Sequence, residues 1–348
     1  MRILITTLFW TFIFCDDSHS SPFSNFRHTV DLSVRTVKAG DNDPMQLAFV
    51  GLDLHRVISS SSEDRATLTL QPYVAFVRNG PAGWDSPPQK HPMFDGSNDW
   101  SMQWRNCNAN IKILQDGSLN IRLGHIEVPF GIEHPIDTNG RALDYAHGAN
   151  FVGIKADWGV SLNGIKNGYE YELALLRGSG NGYASESFDR ETPYFISGRI
   201  GATRNADFGF GLSALTGRLL TPSREIVQRS RIALDSQYYF RNLGFLGEIS
   251  VGRGYGGPLY DKTDFLQLFS ELHWKSPKET SQVWLQLVHR SLEPEASREI
   301  RTGVAWVPMH KVTLSSSLTR KFKTKLENKI VLRTKPENNI LFQLRYRY

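Results

Sequence analysis

The side chains best suited to chemistry are sparse in this chain. His125-x-Glu127 and Glu133-His134 bring imidazoles and carboxylates together, but no His-Glu-x-x-His pattern accompanies them and Pro129 interrupts the segment. Asp95–Asp99 (DGSND) is rich in oxygen ligands, yet it lacks the ligand spacing and closing Glu of an EF-hand. Two glycine-dense runs, Gly178-Ser179-Gly180-Asn181-Gly182 and Gly252-Arg253-Gly254-Tyr255-Gly256-Gly257, have the look of phosphate cradles. Neither precedes the helical pattern that nucleotide motifs require, so both read as flexible loops. There is no Gly-x-Ser-x-Gly elbow and no Cys-x-x-Cys-His haem site. The two cysteines, Cys15 and Cys107, support neither a disulfide scaffold nor a Cys-based zinc site. The chain is therefore expected to be no enzyme, to use no cofactor and to hold no catalytic or metal site.

What remains is charge arranged periodically, and only the elements that carry it give it meaning. The 348 residues include 40 Lys+Arg and 35 Asp+Glu, a formal net charge of +5, with 40% hydrophobic residues. Twenty Phe, 12 Tyr and 8 Trp argue against disorder. Beyond the N-terminus no apolar run is long enough for a membrane helix, and the small net charge argues against nucleic-acid binding. Residues 1–20 read as a secretory signal. Arg2 supplies the basic start, Ile3 to Phe14 the apolar stretch and Ser18-His19-Ser20 a small-x-small cleavage site. Cys15 suggests a lipoprotein, but Phe14 before it fits that reading poorly. Cleavage removes one cation and two anions (Arg2, Asp16, Asp17), leaving +6.

Most of the remaining chain alternates apolar and polar residues with period two, the mark of strands with one apolar and one polar face. Ala66, Leu68, Leu70, Val74 and Phe76 share one side, with Thr67, Thr69, Gln71 and Tyr73 on the other. The pattern predicts 16 strands at about 46–58, 65–77, 101–113, 119–128, 149–162, 168–178, 193–204, 207–218, 229–241, 243–253, 264–275, 281–291, 298–307, 310–320, 325–333 and 339–348. A further strand is available at 30–37, inside an N-terminal lead-in of 21–45 that precedes a single barrel domain over 46–348. Such a chain is either a soluble double sandwich or a membrane barrel. Strand length, persistent alternation and aromatics near strand ends (Trp100, Trp104, Trp158, Tyr238, Phe240, Trp274, Trp306, Tyr346) favour an all-β transmembrane antiparallel barrel of 14–18 strands. The C-terminal alternation of Phe342, Leu344, Tyr346 and Tyr348 resembles the closing strand of bacterial outer-membrane barrels, with Tyr where Phe is usual. Short connections (Asn205-Ala206, Asn242, Ser276–Thr280, Pro308-Met309) alternate with long ones. Counting back from the last strand, however, puts the 334–338 turn and the other short turns on the side where long loops belong.

The most distinctive stretch is Arg122-Leu123-Gly124-His125-Ile126-Glu127-Val128-Pro129-Phe130-Gly131-Ile132-Glu133. It resembles the G-x-x-x-x-P-F-G-L-E element of phosphate-selective-porin-like proteins, where that element closes a strand and opens a loop. The matching residues are Gly124, Pro129, Phe130, Gly131 and Glu133, and the likeness continues to about residue 182. The resemblance implies a barrel, a diffusion role and trimers. It does not carry over a phosphate ligand, because no arginine ladder maps position by position.

If apolar faces meet lipid, the polar faces line a lumen. The basic candidates are Lys112, Arg122, Lys155, Arg199, Arg231, Arg241, Arg290, Arg301, Lys325, Lys329, Arg333, Arg345 and Arg347. The acidic ones are Asp53, Glu170, Glu172, Asp235, Glu248, Glu271, Glu299 and Glu327. This excess predicts a weak anion preference, while cross-strand pairing would instead make the same charges braces of the wall. The expected partners are outer-membrane lipids, the barrel-assembly machinery and small solutes or anions. Three functions stay open: a passive outer-membrane porin, a barrel with another task (adhesin, export channel or partner sleeve), and a secreted soluble β-protein.

Overall fold

The computed structural model describes residues 26–40, 43–60, 63–78, 100–133, 154–179, 194–203, 206–220, 226–254, 264–292, 295–327, 330–333 and 336–348. The proposed signal (1–20), the 79–99 connection with its DGSND run, His134, Gly180–Gly182, Tyr255–Gly257 and Lys329 lie outside these residues.

Among the described residues seventeen strands form one sheet. They are β1 (Arg27–Ala39), β2 (Met45–Ser60), β3 (Glu63–Arg78), β4 (Trp100–Lys112), β5 (Asn120–Glu127), β6 (Ala156–Lys166), β7 (Tyr169–Leu176), β8 (Phe195–Ala202) and β9 (Phe208–Leu220). There follow β10 (Ile226–Phe240), β11 (Leu243–Arg253), β12 (Asp264–Lys275), β13 (Ser281–Leu292), β14 (Glu295–Met309), β15 (Val312–Glu327), β16 (Ile330–Arg333) and β17 (Glu337–Arg347). Each strand pairs antiparallel with its sequence neighbour as far as β15. Beyond it, β16 and β17 both lie along β15, covering its last residues and its first ten paired positions respectively. They are two pieces of one stave, so the sheet is a barrel of sixteen staves.

Closure is made by β1 and β17, which pair from Asp31↔Arg347 to Ala39↔Asn339. Reciprocal main-chain bonds between Val30 and Tyr348 (2.8 and 2.9 Å) finish that seam. With no edge left, every stave has two hydrogen-bonded neighbours, which is the condition for a sheet to sit in hydrocarbon.

The alternation read from sequence becomes two walls. On the outside, Val34, Leu212, Ile232, Leu234, Leu272 and Val304 are half exposed or more, an apolar surface with no protein cover. Their neighbours Ser33, Arg35, Ser213, Arg231, Asp235 and Glu271 point inward and are buried. Tyr169, Phe208, Tyr238, Phe240, Trp306, Met309 and Tyr348, all at least half exposed, gather on the outer surface at the end where the connections are short. That band has the composition of an interfacial girdle.

Two sequence expectations need correction, and they cancel in the count. The stretches 310–320 and 325–333 are not two staves: 312–327 runs without a break as β15, and 330–333 returns along it. The lead-in is not outside the barrel, because Arg27–Ala39 is its first stave. With these changes the short connections read from the sequence fall at the end that holds both sheet termini, and the long ones fall at the other, which also carries the two-residue connection between β13 and β14. This resolves the counting conflict. The Pro308-Met309 turn also moves: β14 continues through it with a register irregularity after Trp306, and the turn is His310-Lys311.

Placing a cation in the middle of the outer wall tests this topology. Leu234→Arg is expected to destabilise the vesicle-inserted barrel by about 2–4 kcal/mol, the scale for a basic side chain near the bilayer midplane. The measurement is reversible denaturant unfolding from lipid vesicles, against Leu234→Ala as control.

Candidate functional site

The inner wall carries two networks of charge. The first spans the closing seam. Asp31 on β1 accepts from Arg345 Nε (2.8 Å) and Nη2 (2.5 Å) on β17. Tyr73 on β3 donates to Asp31 (3.2 Å) or Asp53 (3.1 Å), and Arg347 donates to Asp53 (2.9 Å). Beside them the Arg35 guanidinium donates to Gln343 (2.5 Å) and lies over the Phe49 ring (5.4 Å).

The second runs along β8 to β15. Arg199 grips Asp235 through Nε (3.0 Å) and Nη2 (2.7 Å). Glu299 meets three cations, Arg301 (2.7 Å), Arg290 (2.8 Å) and Lys321 (3.3 Å). Arg301 also donates to Gln286 (3.2 Å), which donates to Glu271 (2.6 Å), and Glu271 is 2.8 Å from His273. The Arg231 guanidinium sits 3.7 Å above the Phe265 ring. Nearer β5, Arg122 meets Glu172 at 3.0 Å, and Ser161 donates to the same carboxylate (2.6 Å).

The segment 128–133 crosses this second arc from the inside. Ser197 on β8 donates to the Pro129 carbonyl (3.0 Å), and the Gly131 N–H donates to Ser213 on β9 (2.9 Å). The N–H groups of Ile132 (2.8 Å) and Glu133 (2.9 Å) converge on one oxygen of Glu248 on β11. Gln267 on β12 donates to the Glu133 carboxylate, which lies 3.6 Å from Arg301 on β14. Apolar contacts reinforce the polar ones. Val128 and Phe130 share a buried cluster with Leu176, Phe195, Leu215 and Leu219, and Ile132 packs with Leu246, Phe269 and Val288. A short stretch of main chain inside the barrel would carry unpaired polar groups, and the wall residues supply the partners it needs.

Two glycines of the motif are required by geometry. Gly131 has φ of 59°, and a Cβ there would overlap the Glu248 carboxylate. Gly124 has φ of 126°, and a Cβ there would run into the Cys107 carbonyl on β4. Burial raises the Glu133 carboxyl above its ordinary range, against the pull of Arg290 and Arg301. In the exposed β4–β5 turn, the Ser118 N–H (2.9 Å) holds Asp116 below its ordinary range.

Most sequence candidates fall on the inner face. Arg122, Glu172, Arg199, Arg231, Asp235, Glu248, Glu271, Arg290, Arg301 and Arg345 do so within these networks, and Asp53, Glu170 and Arg347 share their register. Two differ. Arg241 lies exposed in the β10–β11 turn with φ of 52°, so it belongs to no wall. Lys155 precedes β6 in a bend, where its carbonyl accepts from Val128 (3.0 Å). Lys112 keeps the inner register opposite Asn120 but is exposed at the end of β4. Lys325, Glu327 and Arg333 are placed by their main chain in β15 and β16. Phe342, Leu344 and Tyr346 face outward beside β1, as their alternation implies. His125 is fully buried against Trp158 (ring centroids 5.3 Å), and among the described residues no group of three His, Cys, Asp or Glu could hold a metal ion.

Sequence reasoning missed Asp31, Arg35 and Tyr73. Asp31, Ser33 and Arg35 do alternate with Leu32 and Val34, a signal available once 30–37 is accepted as a stave. Ser197, Ser213 and Gln267 had no such signal, because uncharged polar residues are ordinary on any polar face.

No known protein family matches the sequence, and no curated protein matches it. Solved structures do. The chain is similar to the outer-membrane channel DcaP of Acinetobacter baumannii (TM-score 0.63, 10% identity, 93% of this chain and 97% of that one). It is similar to the anion-selective porin of Comamonas acidovorans (TM-score 0.61, 10% identity, 93% and 99%) and to Salmonella typhi OmpF (TM-score 0.62, 10% identity, 95% and 100%). The fold is that of a sixteen-stranded outer-membrane porin barrel. The likeness is spread over several porins and does not single out phosphate-selective ones.

Glu248→Ala tests the inward clamp. It leaves two buried N–H groups without an acceptor, at about 1–3 kcal/mol each. Lower stability in denaturant and faster proteolytic nicking between 128 and 133 are expected, with the barrel still formed.

Proposed function

We propose that the chain is an outer-membrane channel through which small hydrophilic solutes or ions diffuse passively, without chemistry. The observation that carries this reading is the polarity of the two walls. An apolar outer surface with an aromatic band suits a bilayer, and an inner face rich in Asp, Glu, Arg, Ser and Gln suits water, although it also buries apolar clusters such as Leu47, Phe49 and Leu341. Sixteen staves make a barrel wide enough for an aqueous passage. The segment 128–133 narrows that passage on the side of β8 to β14. On this reading residues 1–20 are removed during export, and the barrel inserts with its short turns in the periplasm.

A weak anion preference is the finer part of the proposal. Buried arginines and buried carboxylates are balanced on the inner wall, and most of the carboxylates are held by arginines or hydrogen-bond donors. What tips the balance is the positive charge of the mature chain and the placement of Arg229, Arg231 and Arg290 toward the end with long connections. The phosphate class implied by the motif is not carried over, and trimeric assembly remains part of the proposal.

The test is single-channel recording of the folded chain in a planar bilayer with a salt gradient. Discrete steps and a reversal potential on the anion side are expected. A cation-selective reversal potential would overturn the selectivity and keep the channel. Silence from a barrel shown to be folded and inserted would overturn passive diffusion in favour of a partner-dependent barrel.

A further inference from the structure

The outer wall is not uniformly convex. Over β8 to β10 it sinks into a groove of about 710 Å³ with almost wholly apolar lining. The depression exists because the outward positions at its centre are small. Gly198 and Ala214 are cross-strand partners, as are Thr216 and Ser230. Large aliphatic side chains, Ile196, Ile200, Leu212 and Ile232, stand around them, each nearly half exposed or more.

Polarity rises in steps along the groove toward the end with long connections. The Gly198–Ala214 row is apolar. In the next row Thr216 and Ser230 share a hydrogen bond (3.0 Å), one hydroxyl donating to the other in an apolar setting. Beside Ser230 stands Arg253, paired with Asp264 at 3.0 Å with both side chains about three-quarters exposed. One row further, just beyond the groove's lining, Arg218 faces outward opposite Gln228. Arg218 is exposed and has no carboxylate partner among the described residues.

We propose that this groove is a seat for one anionic lipid of the surrounding leaflet, its acyl chain lying over Gly198 and Ala214 and its acidic headgroup on Arg218. The order of the parts matches such a molecule along its length: an apolar trough, then a hydrogen-bonded hydroxyl pair, then a cation at the depth where the headgroup begins. A second copy of this chain would need a partner for the exposed Arg218 and an apolar ridge for the trough. A lipid supplies both from one molecule. The seat rests on the membrane-spanning reading and is independent of whether the pore conducts.

The test is native mass spectrometry of the detergent-solubilised full chain titrated with phosphatidylglycerol, and separately with phosphatidylcholine of the same chain length. Folding is checked by the mobility change of a barrel on heating, and insertion by flotation with vesicles. The expected result is one phosphatidylglycerol retained per chain, in preference to phosphatidylcholine. Arg218→Gln is expected to weaken retention roughly fivefold, the scale for one basic residue near an anionic lipid surface. Ala214→Phe, which fills the trough from an outward position, is expected to weaken retention of both lipids without unfolding the barrel. Equal retention of the two lipids, or retention unchanged in both variants, would overturn the seat. Loss of an oligomer in Ala214→Phe would also overturn it, by showing that a second copy occupies the trough. Failure to float with vesicles would instead overturn the membrane reading itself.

Discussion

A sheet placed in hydrocarbon has no solvent to satisfy its main chain, so it must have no edge. In this protein that condition is met at one place, the seam between β1 and β17. There nine residue pairs and the reciprocal Val30–Tyr348 bonds join the two ends of the sheet. The other features depend on it. Closure fixes which face of every stave looks inward, because alternation leaves no freedom once one stave is set. The seam also carries its own side-chain lock, Asp31 with Arg345 and Tyr73, so the residues that close the barrel also begin its polar interior.

Once the inside is defined, the segment 128–133 must obey the same rule on a smaller scale. It leaves β5 and folds across the interior, where its own N–H and C=O groups need partners. Ser197, Ser213 and Glu248 supply them from three staves, and apolar contacts through Phe130 and Ile132 hold it down. The result is a barrel whose cross-section is narrowed on one side by a stretch held mainly through its backbone. Pairing on the inner wall, Arg199 with Asp235 and Glu299 with three cations, keeps the long charged side chains in place. The bracing and channel readings of those charges are therefore compatible: the same groups hold their neighbours and present polarity to the interior.

The parts of the fold legible in the sequence were those governed by period two. Along Ile232–Phe240 the outward Ile232, Leu234, Tyr238 and Phe240 alternate with the inward Ala233, Asp235 and Gln237, and the wall follows directly. Boundaries were less legible where alternation continues through a turn signal. Lys321 to Thr324 is polar enough to look like a connection, yet it lies within the single strand β15. The first stave is less legible because its thirteen residues, coming soon after the expected leader, resemble a lead-in. At the site, the Pro-Phe-Gly motif was visible, but its destination was not. Nothing local to residues 128–133 specifies that Glu248, more than a hundred residues later, will receive their N–H groups. Arg241 shows the opposite failure, since correct spacing counted as wall what is a turn.

One face of this sheet is built to meet lipid and the other is not, and three tryptophans report on the difference directly. Trp274 and Trp306 point outward and are 40% and 54% exposed, while Trp284 on the stave between them points inward at 1%. Single-tryptophan variants in vesicles with brominated acyl chains measure contact with hydrocarbon. Strong quenching of Trp306 and Trp274 is expected, and none of Trp284. Quenching of Trp284, or the absence of quenching at all three in the vesicle-bound protein, would contradict it.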